Sequence, residues 1–299
     1  MLKLDGKSLA SLRETKLKDE LANLLKTKKR SPCLTIFQVG DNPASTVYVS
    51  KKVQACQRIG ILPQLIKMPR SIEENDLIDK IVSFNRNPDV DGIIVQLPLP
   101  KNFDTFKILN HVSPEKDVDC LTSLNLGRLF AGRPFFFPCT PSACLLLVDL
   151  AYWVASTNKY IPDPPRKDLS GKTVVVVGRS TLVGKPVSLM LIDRNATVIV
   201  CHSRSACINS YLELADIVIF ATGCPHFFSS KILKENCIVI DVGISKKEDG
   251  RLVGDLKIES SQLLAYTPVP GGVGPLTVQC LLENVFAAFK RNVEKTSSY

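Results

Sequence analysis

Apolar and polar positions in the first hundred residues follow two spacings in turn. Leucines recur at helical spacing over 7–29, whereas Cys33–Val39 is a strand-like run that ends at Gly40. Asp41-Asn42-Pro43 then predicts the start of a helix that ends at Gly60. The runs that follow predict a strand over Ile61–Met68, a helix from Ser71 to about Asn87, and a strand over 91–95. This βαβαβ order is typical of a parallel sheet covered by helices.

A second alternating set lies beyond a proline-rich region. We predict irregular structure over 113–141 and a helix over Pro141–Ala155. The later pattern predicts strands over Thr173–Val177, Thr197–Cys201, Asp216–Ala221 and Cys237–Val242, and helices over 183–194, 206–214 and 275–290. The chain is therefore predicted to be an α/β protein of two lobes, joined near residue 140 and again near residue 275.

Composition narrows the class of protein. The 299 residues are 45% hydrophobic and 22% charged, which excludes a disordered chain, a coiled coil and a collagen-like repeat. No run approaches the ~18 apolar residues of a membrane span, and the first residues do not resemble a secretory signal. Ten cysteines without a Cys-x-x-Cys pair favour free thiols in a reducing cytosol. We expect a cytoplasmic protein without a metal, although Cys201, His202 and Cys207 have a spacing that could bind one.

The net charge of +9 leaves three interpretations open. Four basic residues cluster after the first predicted helix: Lys26, Lys28, Lys29 and Arg30. They could contact nucleic acid, neutralise the carboxyl end of the helix, or attract an anionic small substrate. The sequence motifs have to decide among these.

A glycine-containing turn follows the predicted strand over Thr173–Val177. Gly178 permits a tight turn and Gly184 permits close packing of the next helix, whose first N–H groups can bind a pyrophosphate. The fingerprint is imperfect because Ser180 replaces the middle glycine. A plain strand–helix turn is the alternative.

The end of the next predicted strand bears on the choice of nucleotide. NAD sites usually place an acid there for the ribose hydroxyls, but this chain has Cys201-His202-Ser203-Arg204. Arg179, Ser203 and Arg204 would suit the 2′-phosphate of NADP instead. A solvated loop end is the alternative.

The first lobe carries a second set of chemically capable residues. Tyr48 and Lys52 are four residues apart on a predicted helix and so share a face, where they could stack a ring and transfer a proton. Gln96 stands at the carboxyl end of a strand, where open α/β sheets bind ligands. Two acids in Lys116–Asp119 could bind a ring amidine through their carboxylates. The segment Thr267–Pro275 is rich in glycine, which permits its backbone to approach a neighbouring group closely. Taken singly, each could be an ordinary packing, loop or turn residue.

Together these segments resemble the bifunctional methylenetetrahydrofolate dehydrogenase/cyclohydrolase family over nearly the whole chain. The matching stretches stand in the family's order: Asp5-Gly6-Lys7, Val39-Gly40 with Tyr48 and Lys52, Asp91–Pro100, Lys116–Asp119, Pro138–Pro141, Gly178-Arg179-Ser180 with Val183-Gly184, Cys201-His202-Ser203, and Thr267–Pro275. The resemblance implies oxidation of 5,10-methylenetetrahydrofolate with NADP, followed by hydrolysis of the methenyl product to 10-formyltetrahydrofolate. It places the chain in one-carbon metabolism and purine biosynthesis, as a homodimer that binds neither nucleic acid nor membrane.

The resemblance also implies a domain division and site residues. Residues 1–140 with 276–299 would form a folate-binding catalytic domain, and 141–275 a Rossmann-like NADP domain, with the active-site cleft between them. Lys52, Gln96 and Tyr48 would be catalytic: the lysine chiefly for hydrolysis, the amide as its hydrogen-bond partner, and the phenol stacked on the folate. The implied substrate-binding residues are Tyr48, Leu97, Pro98, Asp119, Pro270, Gly271 and Gly272. The implied cofactor-binding residues are Gly178, Arg179, Ser180, Leu182, His202, Ser203, Arg204, Thr222, Gly223, Gly243 and Ile244.

Two departures from the family pattern carry further expectations. Cys120 follows Asp119 where glycine is frequent, so its thiol is a candidate for alkylation near the pterin. Residues 151–170 are longer than the usual link between lobes, and we expect an exposed insertion in which only Ala151–Val154 extends the preceding helix.

Two other functions remain as alternatives. One is a monofunctional NAD-dependent methylenetetrahydrofolate dehydrogenase, which the Lys52–Gln96 pair and the missing acid after Cys201 oppose. The other is a basic nucleic-acid module, which would need clustered arginines with interleaved aromatic residues.

Overall fold

The computed structural model describes residues 1–28, 30–259 and 262–296 and divides into two compact units. The first unit comprises Glu14–Pro138 and Val278–Tyr299, and the second comprises Met1–Arg13 and Cys139–Thr277. Lys29 of the basic cluster and residues 297–299 of the predicted catalytic domain lie outside the described residues. Two helices, the first and the last, run through both units.

The elements as far as Phe130 are, in order, β1 (Leu2–Lys3), α1 (Gly6–Leu25), β2 (Cys33–Val39), α2 (Pro43–Ile59), β3 (Leu62–Met68), α3 (Glu74–Asn85), β4 (Gly92–Val95), α4 (Thr105–Leu109) and α5 (Ser123–Phe130). Those that follow are α6 (Cys139–Thr157), β5 (Thr173–Val177), α7 (Gly184–Ile192), β6 (Thr197–Cys201), α8 (Ile208–Leu214), β7 (Ile217–Phe220), β8 (Phe228–Ser229), β9 (Ile238–Asp241), β10 (Ser245–Lys246), β11 (Leu252–Val253), β12 (Leu256–Lys257), β13 (Ala265–Tyr266) and α9 (Val273–Thr296).

The first unit is built on the parallel sheet β3-β2-β4. The middle strand β2 is almost wholly buried because helices pack on the sheet, and Phe37 and Ile93 belong to the same apolar cluster as residues of α3. Helix α2 begins and ends where the sequence predicts. The Asn42 side chain caps its start by accepting a hydrogen bond from the Ser45 amide, and Gly60 ends it in a left-handed conformation with φ 90°.

The second unit contains a six-stranded parallel sheet in the order β1-β13-β9-β7-β5-β6. Strands β7 and β9 are fully buried and β5 is buried except at Thr173, as continuous runs of valine and isoleucine predict for a sheet covered on both faces. Val175, Phe220 and Val239 lie in one core cluster. The predicted α/β fold with a Rossmann-like lobe is confirmed.

Helix α6 reaches Thr157, which confirms that Ala151–Val154 extends it. Ala151 and Val154 are buried, whereas the two aromatic residues between them are half-buried. The helix is long and apolar enough to cross a membrane, but more than half of its apolar window is buried inside the protein. Such a core helix is weak evidence for a membrane span.

The segment 158–170, all of which the structure describes, contains no helix or strand, as predicted. It is mostly exposed but it is held to the start of the chain. The Tyr160 hydroxyl donates to the Lys3 carbonyl and accepts from the Asp5 amide, both at 3.1 Å. The Arg13 guanidinium contacts the Asp163 carboxylate at 2.6 Å and the Pro162 carbonyl at 2.9 Å.

The structure differs from the sequence prediction in several short elements. Helix α4 and strands β8, β10, β11 and β12 lie where no element was predicted. The region 113–141, predicted to be irregular, contains helix α5. Thr122 caps the start of this helix, because its side chain accepts a hydrogen bond from the Asn125 amide. The strands β1 and β13 have two residues each, too few to show the alternation of apolar and polar residues that predicts a strand.

Because β1 pairs with β13, Met1–Arg13 groups with the second unit, whereas the predicted boundaries place residues 1–140 in one domain. Those domain boundaries stay a prediction.

Candidate active site

The carboxyl ends of β2 and β4 place one group of predicted residues in the first unit. The two strands pair in register from Leu34↔Gly92 to Phe37↔Val95. The Gln96 amide continues the ladder by donating to the Phe37 carbonyl at 2.8 Å. The next carbonyl, that of Leu97, accepts from the Gln96 side chain at 2.7 Å and from the Ser45 hydroxyl at 3.3 Å. Gln96 is therefore fixed at the strand end, followed by Leu97 and the exposed Pro98.

The predicted Lys52–Gln96 contact is present. Lys52 Nζ donates to Gln96 Oε1 at 3.2 Å, from the third turn of α2, and both side chains are half-buried. Because the Gln96 amide also donates to Leu97, its oxygen is turned toward the lysine. The partner is neutral, so Lys52 can gain or lose a proton without breaking an ion pair. This arrangement suits a group that exchanges protons with a substrate.

Tyr48 lies one turn before Lys52 and is exposed, with 36% of its surface accessible. Its ring offers a flat surface for a ligand, and partial burial raises the pKa of its phenol above the ordinary value. The cation over this ring is Lys51, with Nζ 5.8 Å from the ring centroid. Lys52 is turned to Gln96 instead, so the two neighbouring lysines have different partners.

The two acids of the Lys116–Asp119 segment have different surroundings. Asp117 is buried and accepts from the Leu121 and Thr122 amides and from the Asn125 side chain, at 2.9–3.0 Å. Burial raises the pKa of Asp117. These hydrogen bonds engage both carboxylate oxygens of Asp117 at the start of α5. Asp119 is half-buried and lies two residues after Asp117, which forms an isolated β-bridge with Ile93. Asp119 therefore stays the predicted ligand-binding acid of this segment.

The backbone conformation at Cys120 is one that glycine adopts readily. Its φ of 59° lies in the left-handed region, which glycine adopts without strain. The thiol is fully buried and donates to the Phe136 carbonyl at 3.2 Å, and burial raises its pKa. An alkylating reagent needs an accessible thiolate, so the expected reactivity near the pterin is not supported.

The predicted cofactor residues follow the carboxyl ends of four adjacent strands in the second unit. The strands β6, β5, β7 and β9 align at their last residues through the pairs Val177↔Cys201, Val177↔Phe220 and Phe220↔Asp241. The loops that follow these ends carry Gly178–Leu182 after β5, His202–Arg204 after β6, Thr222-Gly223 after β7 and Gly243-Ile244 after β9. The structure therefore brings all four predicted loops to one edge of the sheet, where doubly wound folds bind nucleotides.

Two glycines of the turn after β5 are required by close backbone contacts. A Cβ on Gly178, whose φ is 135°, would collide with the Ala221 carbonyl, and one on Gly184 would collide with the Gly178 carbonyl. Ser180, at the place of the middle glycine, accepts from the Val183 amide at 3.1 Å. Its side chain therefore organises the turn that leads into α7.

The side chains expected to distinguish NADP from NAD are on the surface. Arg179, Ser203 and Arg204 are exposed, as is Leu182. His202 is half-buried, and its Nδ1 accepts from the Arg204 amide at 3.2 Å, which fixes the turn after β6. Among the described residues, no cluster of three or more His, Cys, Asp or Glu side chains is arranged to hold a metal ion.

Two buried carboxylates that the sequence analysis did not identify hold the remaining loops. Asp255 Oδ2 accepts from the Thr222 amide and hydroxyl, both at 2.7 Å, and from the Gly223 amide at 3.2 Å. Asp241 accepts from the Gly243 amide at 3.0 Å. An acid that ends an apolar strand, two residues before a glycine, was the available signal for Asp241.

Pro270, Gly271 and Gly272 lie in the second unit, between β13 and α9. Gly271 has a φ of 107°, and its carbonyl accepts from the Lys7 amide at 3.0 Å. A Cβ on Gly6 would collide with the Gly272 carbonyl. The start of α1 therefore fixes this glycine segment by close backbone contact.

Comparison with known proteins gives matches to both parts of the chain. Residues 4–119 match the model of the tetrahydrofolate dehydrogenase/cyclohydrolase catalytic domain, and residues 138–293 match that of its NAD(P)-binding domain. The bifunctional protein FolD of Geotalea uraniireducens is 41% identical over 96% of this chain and 98% of its own.

Two solved structures are also similar. The FolD methylenetetrahydrofolate dehydrogenase/cyclohydrolase of Campylobacter jejuni has a TM-score of 0.89 and 39% identity, over 97% of this chain and 99% of its own. The Trypanosoma brucei enzyme, solved with NADP and an inhibitor, has a TM-score of 0.86 and 33% identity, over 98% of each chain.

Proposed function

The chain belongs to the tetrahydrofolate dehydrogenase/cyclohydrolase family, and from this we propose that it is a bifunctional enzyme of one-carbon folate metabolism. It oxidises 5,10-methylenetetrahydrofolate to the methenyl compound with NADP and hydrolyses that compound to 10-formyltetrahydrofolate. The observation that carries the hydrolytic half is the Lys52–Gln96 hydrogen bond at the end of β4. The four aligned strand-end loops of the second unit support the dehydrogenase half.

In the proposed reaction the residues of the first unit bind the folate and move protons. Tyr48 offers its ring for stacking, and Asp119 binds the amino edge of the pterin through its carboxylate. Water adds to the methenyl carbon, and Lys52 Nζ accepts the proton that the water loses. Gln96 Oε1 holds the lysine in place during this transfer. The hydroxyl group of the adduct then loses its proton to become the formyl carbonyl, the C–N bond breaks, and the nitrogen that leaves the carbon takes up a proton. The formyl group stays on the other nitrogen, and the proton that Lys52 accepted is released to solvent.

NADP, when bound, accepts the hydride that leaves the methylene carbon. The residues of the second unit fit this dinucleotide because Gly178 and Gly184 let the backbone approach closely, as a pyrophosphate turn requires. Arg179, Ser203 and Arg204 are exposed beside aligned strand ends and supply the charge and hydrogen bonds that a 2′-phosphate needs. Pro270–Gly272 is proposed as part of the folate site.

The family supports a bifunctional enzyme over the monofunctional NAD-dependent alternative, because the three relatives named above, of 33–41% identity, are described as bifunctional proteins or dehydrogenase-cyclohydrolases. The chain also retains the lysine and amide that hydrolysis needs. We propose that the 10-formyltetrahydrofolate produced is used in purine biosynthesis.

We further propose a homodimer in the cytoplasm that binds neither nucleic acid nor membrane. Strand β6 supports the dimer, because one of its edges is unpaired within the part of the chain that the structure describes and it exposes 40% of Val200. Free thiols at all ten cysteines suit a reducing compartment.

The test is to measure the two activities separately. Purified protein is mixed with methylenetetrahydrofolate and NADP, and in a second assay the methenyl compound is supplied without nucleotide. Lys52→Met should abolish hydrolysis and leave NADP binding within about twofold, and Gln96→Leu should slow hydrolysis as well. Lys67→Met is the matched control, because Lys67 is an exposed lysine on β3 of the same unit. Normal hydrolysis by Lys52→Met would overturn the assignment of that residue.

A further inference from the structure

Two neighbouring carboxylates lie buried beneath the loops that follow β7 and β9. Asp241 is 4% exposed and Asp255 is completely buried. Among the described residues, neither is paired with a cation, and Asp255 Oδ1 is a buried oxygen without a hydrogen-bond partner. Burying charged groups costs free energy, so their retention at this place calls for a reason other than core stability.

Asp255 accepts three hydrogen bonds from one short turn. The donors are the Thr222 amide, the Thr222 hydroxyl and the Gly223 amide, and all three reach the same oxygen, Oδ2. Thr222 and Gly223 are themselves exposed, so the turn presents its outer face to solvent while a buried carboxylate fixes its inner face. Without Asp255, the turn would lose every one of these bonds.

Asp241 connects this carboxylate to the loop after β9. Its Oδ1 accepts from the Gly243 amide at 3.0 Å and from the Asp255 amide at 3.1 Å, and its Oδ2 accepts from the Leu256 amide at 2.9 Å. The Asp241 amide donates to the Thr267 hydroxyl at 2.7 Å. Asp241 therefore fixes the main chain of Asp255 and Gly243 together.

The glycines around the pair show how closely the backbone fits the carboxylates. A Cβ on Gly243 would collide with Asp255 Oδ1, and a Cβ on Gly254 would collide with Asp241 Oδ2. Both glycines have ordinary φ values, so it is the space, and not the backbone conformation, that excludes a side chain there. The two loops and the two carboxylates form one closely packed assembly.

We propose that Asp255 is a positioning residue for NADP, which with Asp241 holds the Thr222-Gly223 turn and the Gly243-Ile244 segment in the conformation that binds the dinucleotide. The proposal rests on the proposed function, since these loops are the predicted cofactor loops. Asp255 lies behind the turn and acts through Thr222 and Gly223. The oxidation would therefore depend on Asp255, whereas hydrolysis of added methenyl compound, which needs no nucleotide, would not.

The experiment compares Asp255→Ala and Asp255→Asn with the unaltered protein and with Asp249→Ala. Asp249 is the matched control, because it is an exposed aspartate between β10 and β11 that pairs with Arg251. Calorimetric titration with NADP should show at least a tenfold loss of affinity for Asp255→Ala. Asp255→Asn keeps an oxygen that can accept from Thr222, so its affinity should fall by less than about threefold. Hydrolysis of the methenyl compound should stay within about twofold in all variants.

Unchanged NADP affinity in Asp255→Ala would overturn the proposal while leaving the enzyme's function intact. If the unaltered protein neither binds NADP nor oxidises the substrate, the proposed function itself fails. Hydrogen exchange on the unaltered, nucleotide-free protein provides a test that needs no variant. The Thr222 and Gly223 amides should be protected because Asp255 holds them, and exchange of both at the rate of an unstructured chain would also overturn the proposal.

Discussion

The stability of the second unit should depend on the protonation of Asp241. Burial, together with the nearby Asp255 carboxylate, raises the pKa of Asp241 from 3.8 to about 6. A raised pKa means that the folded protein holds this proton more tightly than the unfolded chain does. Protonated Asp241 therefore favours folding at low pH, and this contribution is lost as the pH rises through about 6.

The size of the effect follows from the two pKa values. A shift of one pKa unit corresponds to about 1.4 kcal/mol, so a shift of about two units sets a limit near 3 kcal/mol. Between about pH 4.5 and pH 7.5, roughly 2 kcal/mol of this should be lost from the free energy of unfolding. Other groups titrate over the same range, so the effect has to be measured as a difference between two proteins.

The assay is urea denaturation of the unaltered protein and of Asp241→Asn at both pH values. The stability advantage of the unaltered protein over the variant should be smaller at the higher pH by roughly 2 kcal/mol. Asp249→Asn is the control, since Arg251 lowers the pKa of Asp249 and any contribution it makes is lost as the pH falls. A difference between the unaltered protein and Asp241→Asn that does not change with pH would refute the reasoning.

Two further predictions concern the second unit. The unaltered protein should prefer NADP over NAD by at least tenfold in kcat/KM, because a charged hydrogen bond to a phosphate contributes about 1.5–3 kcal/mol. Arg179→Ala should erase most of this preference. Equal kcat/KM for the two nucleotides in the unaltered protein would contradict the prediction. Deleting Asn158–Arg166 should leave both activities within about threefold, because the segment carries no predicted site residue. Loss of NADP binding on deletion would instead show that the bonds from Tyr160 to Lys3 and Asp5 support the cofactor site.

The local parts of the fold could be predicted because their signals lie within a few residues of each other. The start of α2 is specified by Asn42 and its end by Gly60, and the structure has both. The contact of Lys52 with Gln96 was also expected, although only the folded chain shows that Leu97 turns the amide toward the lysine.

The features that sequence reasoning missed depend on residues far apart or on very short segments. Asp255 was missed because its role depends on Thr222, which is 33 positions away. The Thr222-Gly223 turn that Asp255 holds is not part of a helix or strand, so the sequence pattern does not predict it. Helix α5 was missed because eight residues give a weak periodic signal, and the surrounding prolines suggested irregular structure. The burial of Cys120 could not be read from its neighbours in the chain.

The pairing of β1 with β13 has a consequence for the biosynthesis of the protein. Leu2 and Lys3 leave the ribosome 263 positions before their partners Ala265 and Tyr266. This edge of the sheet therefore stays open while the residues between them are made, and the pairing must then close a very long loop. Contacts so distant in sequence slow folding, so we expect β1 to join the sheet of the second unit as a late step.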